Sequence, residues 1–568
     1  MRGGEKPVIR YLLLCLALVL IAVAPAAAQT SVAPSAEPGR IPERFRPAPN
    51  PSAVPEISVP TMRAAPPPAE AAAIRFRLAG IVADGVTVYD AAALTPLYSE
   101  FLDHDVTLAE IYEIAARITT KYRNDGYVLA QAIVPAQRIS GGIVHIRVME
   151  GAIDHIRIEG DAGEQNNRLL RAYADKIQNS RPLKNADLER YLLLANDIPG
   201  VHVRSVLTPA AESGAADVTL LVDRTRVDGS IGFDNRGTRF LGPIQTIGTV
   251  NFNGAMTEND HVGLQVVRTP FKRQLGYYAL RVDEPVDTEG SVASLSASYT
   301  NTRPGYTLQS SDVNGKSYSA GMALRHPFLR SRAESLWGMA RFDVQNTKTD
   351  IFGDQLLTDD KLRVLRAGGD YERADAWRGV NTVSLTVSHG FDILGATKTD
   401  AQNLSRARGA SNFTKANADV SRTQPLWDAF SGYLLVSGQK SAHSLLSAEQ
   451  FGIGGSVIGS AYDPSEIVGD DGLAGRAELR WDAPPPGLGD VSYQLYGFWD
   501  GGEVWTRTPS AGQPSQQSLA SAGIGLRATL TQWLYGTAEI AKPLTRPVAT
   551  RGESGNDPRF FFSLTARF

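Results

Sequence analysis

The sequence predicts a mixed class: α+β modules toward the N-terminus, then an all-β antiparallel barrel that crosses a membrane. Three observations predict it. The 568-residue chain ends on FFFSLTARF at residues 560–568. Phe560, Phe562, Leu564, Ala566 and Phe568 share one face of that segment, and Ser563, Thr565 and Arg567 share the other, with Phe561 the exception. Period-2 patterning that stops flush on an aromatic suits a closing strand whose apolar face meets lipid and whose last ring sits at the interface. The alternative is the final strand of a soluble sandwich. The other end argues against it. Arg2, Lys6 and Arg10 precede a short apolar run at residues 11–24, and Ala26, Ala27 and Ala28 offer a cleavage site. This is a secretory signal peptide over residues 1–28. Finally, no later apolar run reaches the length of a membrane helix, so a span must be a closed barrel, which satisfies its own backbone in lipid.

Composition excludes several function classes. Lys+Arg 57 nearly balances Asp+Glu 60, and no basic stripe suggests nucleic acid. Cys15, the single cysteine, lies inside the signal run. The exported chain therefore carries neither disulfide nor lipid-anchored cysteine. The histidines are scattered singly without H-E-x-x-H, residues 455–459 fail G-x-S-x-G, and no phosphate-binding G-x-x-x-x-G-K-S/T run is present. No catalytic, metal or cofactor-binding residue is expected, and no cofactor.

After the signal, residues 29–73 are rich in Pro and Ala and read as a flexible linker. Pro34, Pro38 and Pro42 forbid a long helix there, so a flexible tail is expected. Residues 74–151 form a first module: strand 74–83, helix 89–102, and a second helix opened by the capping box Thr107-Leu108-Ala109-Glu110. The apolar stripe of that helix is Leu108, Ile111, Ala115, Ile118 and Tyr122, and Gly126 suits its left-handed cap. Strands 128–134 and 143–149 complete it. The order β-α-α-β-β repeats over residues 152–223, with strands 155–159, 201–207 and 217–223 and helices 167–177 and 183–196. Residues 224–568 then alternate in short segments, such as Val262, Leu264 and Val266, or Leu295, Ala297 and Tyr299, between Gly, Asn, Asp and Pro turns. At roughly 20 residues per strand and connection, this stretch holds about sixteen strands.

Four segments carry a family resemblance. YRNDGYVLAQAIVPAQRISGGIVHIRVMEG at 122–151 resembles the first periplasmic POTRA domain of the two-partner secretion outer-membrane transporters, the TpsB or haemolysin secretion/activation proteins. NDIPGV at 196–201 resembles a turn of their second POTRA domain. HPFLRSR at 326–332 resembles a strand-and-turn signature of their barrel, and SAEQFGIGG at 447–455 the approach to their inward-folded loop. The resemblance implies two tandem POTRA domains in the periplasm and a sixteen-stranded antiparallel barrel in the outer membrane. It implies export of one large β-helical exoprotein that arrives unfolded and folds outside. The alternative within the superfamily is an assembly factor that inserts outer-membrane proteins.

Partners expected on this basis are the secreted exoprotein, outer-membrane lipid, and the barrel-assembly machinery and periplasmic chaperones during biogenesis, with no nucleic acid. Phe562, Leu564, Ala566 and Phe568 supply the assembly signal. A closed barrel has no free edge, so a monomer is expected. An unfolded segment can add to a POTRA sheet edge through main-chain hydrogen bonds, with side chains read in a helix–strand groove. Candidates are Ile111, Tyr112, Ala115, Val128, Ala130, Ala132 and Val134, which equally suit the module core.

The inward loop is expected at 454–475, with Gly455, Ile458, Gly459, Ser460, Tyr462 and Asp463 at its tip. Asp463, Glu466, Asp470 and Asp471 suit a wet lumen or the exit mouth. In the family the tip carries an arginine that pairs with an acidic residue on a neighbouring strand. Asp500 occupies the acidic position. Ser460 stands at the arginine position when aligned on Tyr462, and Ile458 when aligned on Val457, so no arginine is present. Arg476 and Arg480 are candidate substitutes, and Ser460→Arg is expected to tighten the resting state.

Overall fold

The computed structural model describes residues 32–45, 57–58, 68–161, 166–210, 214–271, 274–483 and 491–568. The signal peptide lies outside the described residues, as does much of the linker. Residues 34–45 correct the expectation of a flexible tail. They form single turns at Pro34–Ala36 and Pro38–Arg40, followed by α1, Ile41–Arg44. Pro38 and Pro42 sit in first turns, where the missing N–H costs nothing. Proline spacing forbids a long helix but permits a chain of short ones. Further on, β1 is the two-residue strand Ile57–Ser58.

The first module contains β2 (Arg75–Arg77), β3 (Gly80–Asp84), α2 (Ala91–Leu94), β4 (Asp105–Thr107), α3 (Leu108–Asn124), β5 (Gln131–Ile133) and β6 (Ile143–Met149). The expected strand 74–83 is broken at Leu78, whose fully buried side chain turns into the core. The expected helix 89–102 survives only as α2 and two 3-10 turns, because Pro96 cannot donate to the helical ladder. α3 starts on the Thr107–Glu110 capping box and ends near Gly126, whose φ is +95°. Its stripe of Ile111, Ile114, Ala115, Ile118 and Tyr122 is buried against Val144, Ile146 and Val148 of β6. The sheet order is β3-β6-β5, with β5 at an edge.

The second module runs β7 (Ala152–Gly160), α4 (Arg168–Gln178), α5 (Asn185–Asn196), β8 (Val201–Pro209) and β9 (Ala215–Arg224). Leu170, Tyr173, Ile177, Leu188 and Leu192 pack on Val201, Val203, Val218, Leu220 and Val222. Each of the larger side chains contributes about 2 kcal/mol by leaving water. β7 pairs β9 in parallel and β8 pairs β9 antiparallel.

A closed sixteen-stranded antiparallel barrel follows, from Val227–Asp234 to Arg559–Arg567. The first and last strands close it in a register from Ser230↔Arg567 to Asp234↔Ser563, and Gly229 and Phe568 exchange backbone bonds of 3.1 Å. Side chains are arranged inside out relative to a soluble protein. Leu295, Met322 and Ile524 face outward, while Glu449, Arg476 and Asp500 are buried. Only an apolar surround stabilises that arrangement. Phe562, Leu564 and Phe568 lie on the outer face. Phe561, the exception in the pattern, points inward and is buried.

Module two is fastened to the barrel rim. Arg330 forms a two-pronged pair with Asp197, at 2.8 Å from Nε to Oδ2 and 2.7 Å from Nη2 to Oδ1. These residues belong to HPFLRSR and NDIPGV, so two segments distant in sequence meet in one contact.

Candidate translocation path

The connection between barrel strands Phe430–Ser441 and Asp471–Ala483 folds into the lumen. The wall strand begins at Asp471, so the last residues of the expected 454–475 loop belong to the wall. On this strand, a Cβ at Gly472 would sit 2.0 Å from the Phe451 ring. It is a wall glycine that admits the loop. Within the loop, Phe451–Ile453 pairs with Ile467–Gly469 in a short hairpin. Gly454, Gly455 and Gly459 take φ of +125°, +108° and +83°, which the tight return demands.

The tip is a small apolar core with polar fastenings. Ile458, Ala461 and Tyr462 pack on Phe498, Leu519 and Phe561 of the wall. Ser460 N donates to Asp500 Oδ2 at 3.2 Å, and Ala461 N to Ser521 Oγ at 3.3 Å. Arg476 Nη1 donates to Asp500 Oδ2 at 2.9 Å and also to Ser460 Oγ. Its guanidinium lies 4.0 Å from the Phe498 ring centre. Arg480 instead donates to Glu478 and covers Tyr433. Thus the wall supplies both charges, from directly paired positions of adjacent strands, and the loop supplies a hydroxyl and backbone groups. Ser460 is fully buried, its hydroxyl held by Arg476 and its carbonyl by Arg236. The two guanidinium groups already beside it argue against the tightening expected of Ser460→Arg.

The loop carboxylates are paired rather than wet. Asp463 accepts from Arg559 Nη2 at 2.8 Å and from Thr550 Oγ1 at 2.6 Å. Asp470 pairs with Arg406, and Asp471 with Lys440 at 2.7 Å. Glu466 accepts from Ala549 N at 2.7 Å. At the approach to the loop, Glu449 is held by Arg366 at 2.6 Å and Lys415 at 2.8 Å. Burying such charges is tolerable only because each has a partner.

The N-terminal segment, missed in the sequence, sits beside this loop. Arg40 Nη1 donates to Ser447 O at 2.6 Å and Gln450 O at 2.9 Å, and Arg40 Nη2 to Ser465 Oγ at 3.2 Å. One side chain thus clasps both limbs of the loop. Gln345 donates to Gly39 O at 2.8 Å, and a Cβ on Gly39 would lie 2.9 Å from Thr347 Oγ1. The PGR sequence at 38–40 was the available signal: glycine for close approach, arginine for the clasp.

In the first module a groove of about 860 Å³ runs between α3 and the loops around β2 and β5. Tyr112 and Val134 line it, with Ile74, Phe76, Arg75 and Arg77. Ile111, Ala115, Ala130 and Ala132 are core and unavailable to a partner. Val128 packs against the core of module two. Packing counts against those five: for Ile111 and Ala115 the helical stripe that marks a groove wall is the stripe that fills a core, and Val128, Ala130 and Ala132, beyond the helix, pack into the two module interiors.

Comparison with known proteins places this geometry. The sequence model of the haemolysin secretion/activation protein ShlB/FhaC/HecB matches residues 214–528, and that of the ShlB-type POTRA domain matches residues 76–151. The heme/hemopexin transporter protein HuxB of Haemophilus influenzae strain 86-028NP is 22% identical over 481 residues, covering 84% of each chain. The outer membrane transporter CdiB of Dickeya dadantii is 23% identical over 469 residues, covering 80% of each. The solved structure of CdiB from Escherichia coli superposes with a TM-score of 0.71 at 20% identity, over 100% of both chains. CdiB from Acinetobacter baumannii gives 0.60 at 16% identity, again over 100% of both.

Proposed function

The chain belongs to the haemolysin secretion/activation protein family ShlB/FhaC/HecB, and on that premise we propose that it exports one large exoprotein through its barrel. Members are two-partner secretion transporters of the outer membrane, with POTRA domains in the periplasm and secreted exoproteins as partners. The cargo is unfolded in the periplasm and of the β-helical kind. Apolar side chains of the cargo are read in the groove of Tyr112, Val134, Phe76 and Ile74. No nucleotide drives the step: folding outside the cell biases movement outward. Periplasmic chaperones and the barrel-assembly machinery serve the transporter during its own biogenesis, and it works as a monomer.

The observation that carries this reading is the content of the lumen. The barrel is closed by two pieces of its own chain, the loop tip and residues 34–45, held by exchangeable polar contacts. A conduit stopped by removable parts fits intermittent passage of a polymer better than constant diffusion of solutes.

The test compares supernatant and cell-surface proteins of the parent strain with those of a strain lacking this chain. Disappearance of one large polypeptide with the outer membrane otherwise intact is expected. A broad fall in outer-membrane proteins would favour the assembly reading instead.

A further inference from the structure

The lipid-facing wall of the barrel carries an inference that does not depend on what passes through the lumen. Four strands, Leu275–Pro285, Val292–Thr302, Asn314–Arg330 and Glu334–Ile351, pair one after another. Every second side chain on them points outward, so the register stacks the outward residues in rows. One row is aromatic: Tyr278, Tyr299 and Tyr318 are paired across three strands, with ring centres 6.3 and 4.8 Å apart. On the side nearer module two, the next row contains Ala297 directly opposite Ala320. Two small side chains side by side leave a hollow of about 380 Å³, walled by Leu280, Val282, Leu295, Met322 and Phe342. On the other side of the tyrosines, the next row brings Lys316 directly opposite Lys348, and both are exposed.

Orientation and charge give this face its meaning. Module two meets the far ends of the same strands, where Arg330 pairs with Asp197 and Glu289 with Lys176. Those ends are periplasmic, so the lysine row lies at the outward leaflet. Tyrosines collect at a membrane interface, which puts the cations just beyond them at headgroup depth. Like charges directly opposite on adjacent strands, with Cβ atoms roughly 5 Å apart, repel. Lys348 is partly answered by Asp350 at 3.0 Å, and Asp359 of the following strand is taken by Lys361 at 3.4 Å. Lys316 has no acidic partner among the described residues, and neither has the exposed Arg303 just past Val292–Thr302. The pattern from rim to midplane is thus cation, aromatic ring, apolar hollow. A second hollow on the lipid face, of about 520 Å³ around Gly497, has Phe430 and Trp481 among its walls but no basic residue in its lining.

We infer that this face is a binding site for a lipid of the outward leaflet with an anionic phosphate headgroup. The phosphate is held by Lys316, Lys348 and Arg303, and an acyl chain runs past the tyrosines into the hollow over Ala297 and Ala320. A basic cluster at headgroup depth attracts such a lipid, and the phosphate relieves the repulsion between the facing lysines. The site also backs onto the seat of the lumen segment. On the inner faces of the same two strands, Gln345 donates to Gly39 O at 2.8 Å, and Pro38 lies against Gly315.

The test uses the purified full-length chain in detergent, with labelled diphosphoryl lipid A, its dephosphorylated form and phosphatidylglycerol as probes. The parent chain is expected to bind diphosphoryl lipid A at least tenfold more tightly than the dephosphorylated form. K316E/R303E should abolish that preference. A297F/A320F, which fills the hollow, should weaken binding of both forms at least fivefold and keep the preference. An unchanged thermal midpoint shows that each variant is folded, and K316Q/R303Q carries the same expectation should the charge reversal not fold. Phosphatidylglycerol separates the two sources of the headgroup: weaker binding than lipid A names a glycolipid, equal binding a glycerophospholipid, and either upholds the site. Equal affinity of the parent for the phosphorylated and dephosphorylated forms would overturn the proposal. So would the parent's preference surviving in K316E/R303E, or undiminished binding by A297F/A320F. None of these outcomes bears on export, so the transporter reading stands or falls separately.

Discussion

At the scale of single residues, the most instructive position is Ser460. A seryl group fits where the wall already holds a charge pair, because Arg476 and Asp500 satisfy one another at 2.9 Å and leave only hydrogen bonds for the loop to make. Withdrawing Ser460 therefore leaves neither Arg476 nor Asp500 unpaired, which avoids the cost of about 3 kcal/mol or more that removing one partner of a buried pair carries. Ser460→Arg adds a third guanidinium beside Arg476 and Arg236 at a fully buried position. We expect it to dislodge the tip and raise single-channel conductance in planar bilayers several-fold. Moving the cation rather than adding one, in S460R/R476S, should bring conductance back toward the parent value. A single S460R channel that conducts no more than the parent would sink this account of the tip.

At the scale of elements, patterning was a good guide wherever one face meets a different medium. The barrel strands, α3 and β6 were legible because alternation or a helical stripe separates lipid or core from water; Val144, Ile146 and Val148 of β6 are buried between exposed His145 and Arg147. Apart from the Pro38-Gly39-Arg40 signal, the lumen segment was illegible because its bonds go to Ser447, Gln450 and Ser465, some 400 residues away, and no local pattern names a partner that distant. The groove was half legible, since Tyr112 and Ile111 are neighbours on one helix and only packing decides which is free. A similar long-range device ties β6 to the loop before α2. Glu150 accepts from Tyr122 OH at 2.7 Å, Val88 N at 2.9 Å and Thr87 N at 2.6 Å. Burial alone would raise its carboxyl, but the hydroxyl and N–H of Thr87, with Tyr122 and Val88, hold it below the usual carboxylate range. A depressed carboxylate stabilises fully above its unfolded value of about 4.3, and the contribution fades as pH falls through the lower folded value. Glu150→Gln is expected to destabilise module one by about 1–2 kcal/mol at pH 7. That deficit should shrink below about pH 4, measured by urea unfolding at the two pH values. A deficit independent of pH would show that the charge plays no part.

For the whole molecule, the question is what holds the barrel shut along its closure. The first and last strands share the short register from Ser230↔Arg567 to Asp234↔Ser563, whereas the long neighbours Glu334–Ile351 and Gln355–Ala374 pair along nearly their full length. The loop tip reinforces the short seam from inside. Arg236, just past the first strand, donates to Ser460 O at 3.1 Å, and Arg559 of the last strand donates to Ala461 O at 2.8 Å. Between them lies the inward ring of Phe561, with the Arg236 and Arg559 guanidinium groups 4.0 and 4.9 Å from its centre. The loop that stops the lumen is thus also a staple across the seam. Withdrawal of the loop would remove both of these bonds from the seam. Arg559→Ala should then cost about 2 kcal/mol of barrel stability in the parent. It should cost close to nothing in a chain whose tip residues 456–463 are replaced by a short glycine linker, because both of its loop partners, the Ala461 carbonyl and Asp463, are gone. The coupling in that double-mutant cycle, read from thermal unfolding in detergent micelles, isolates the staple from any effect of either change alone. Equal costs in both backgrounds would mean that the seam is held by its own backbone ladder and that the loop closes the pore without bracing the wall.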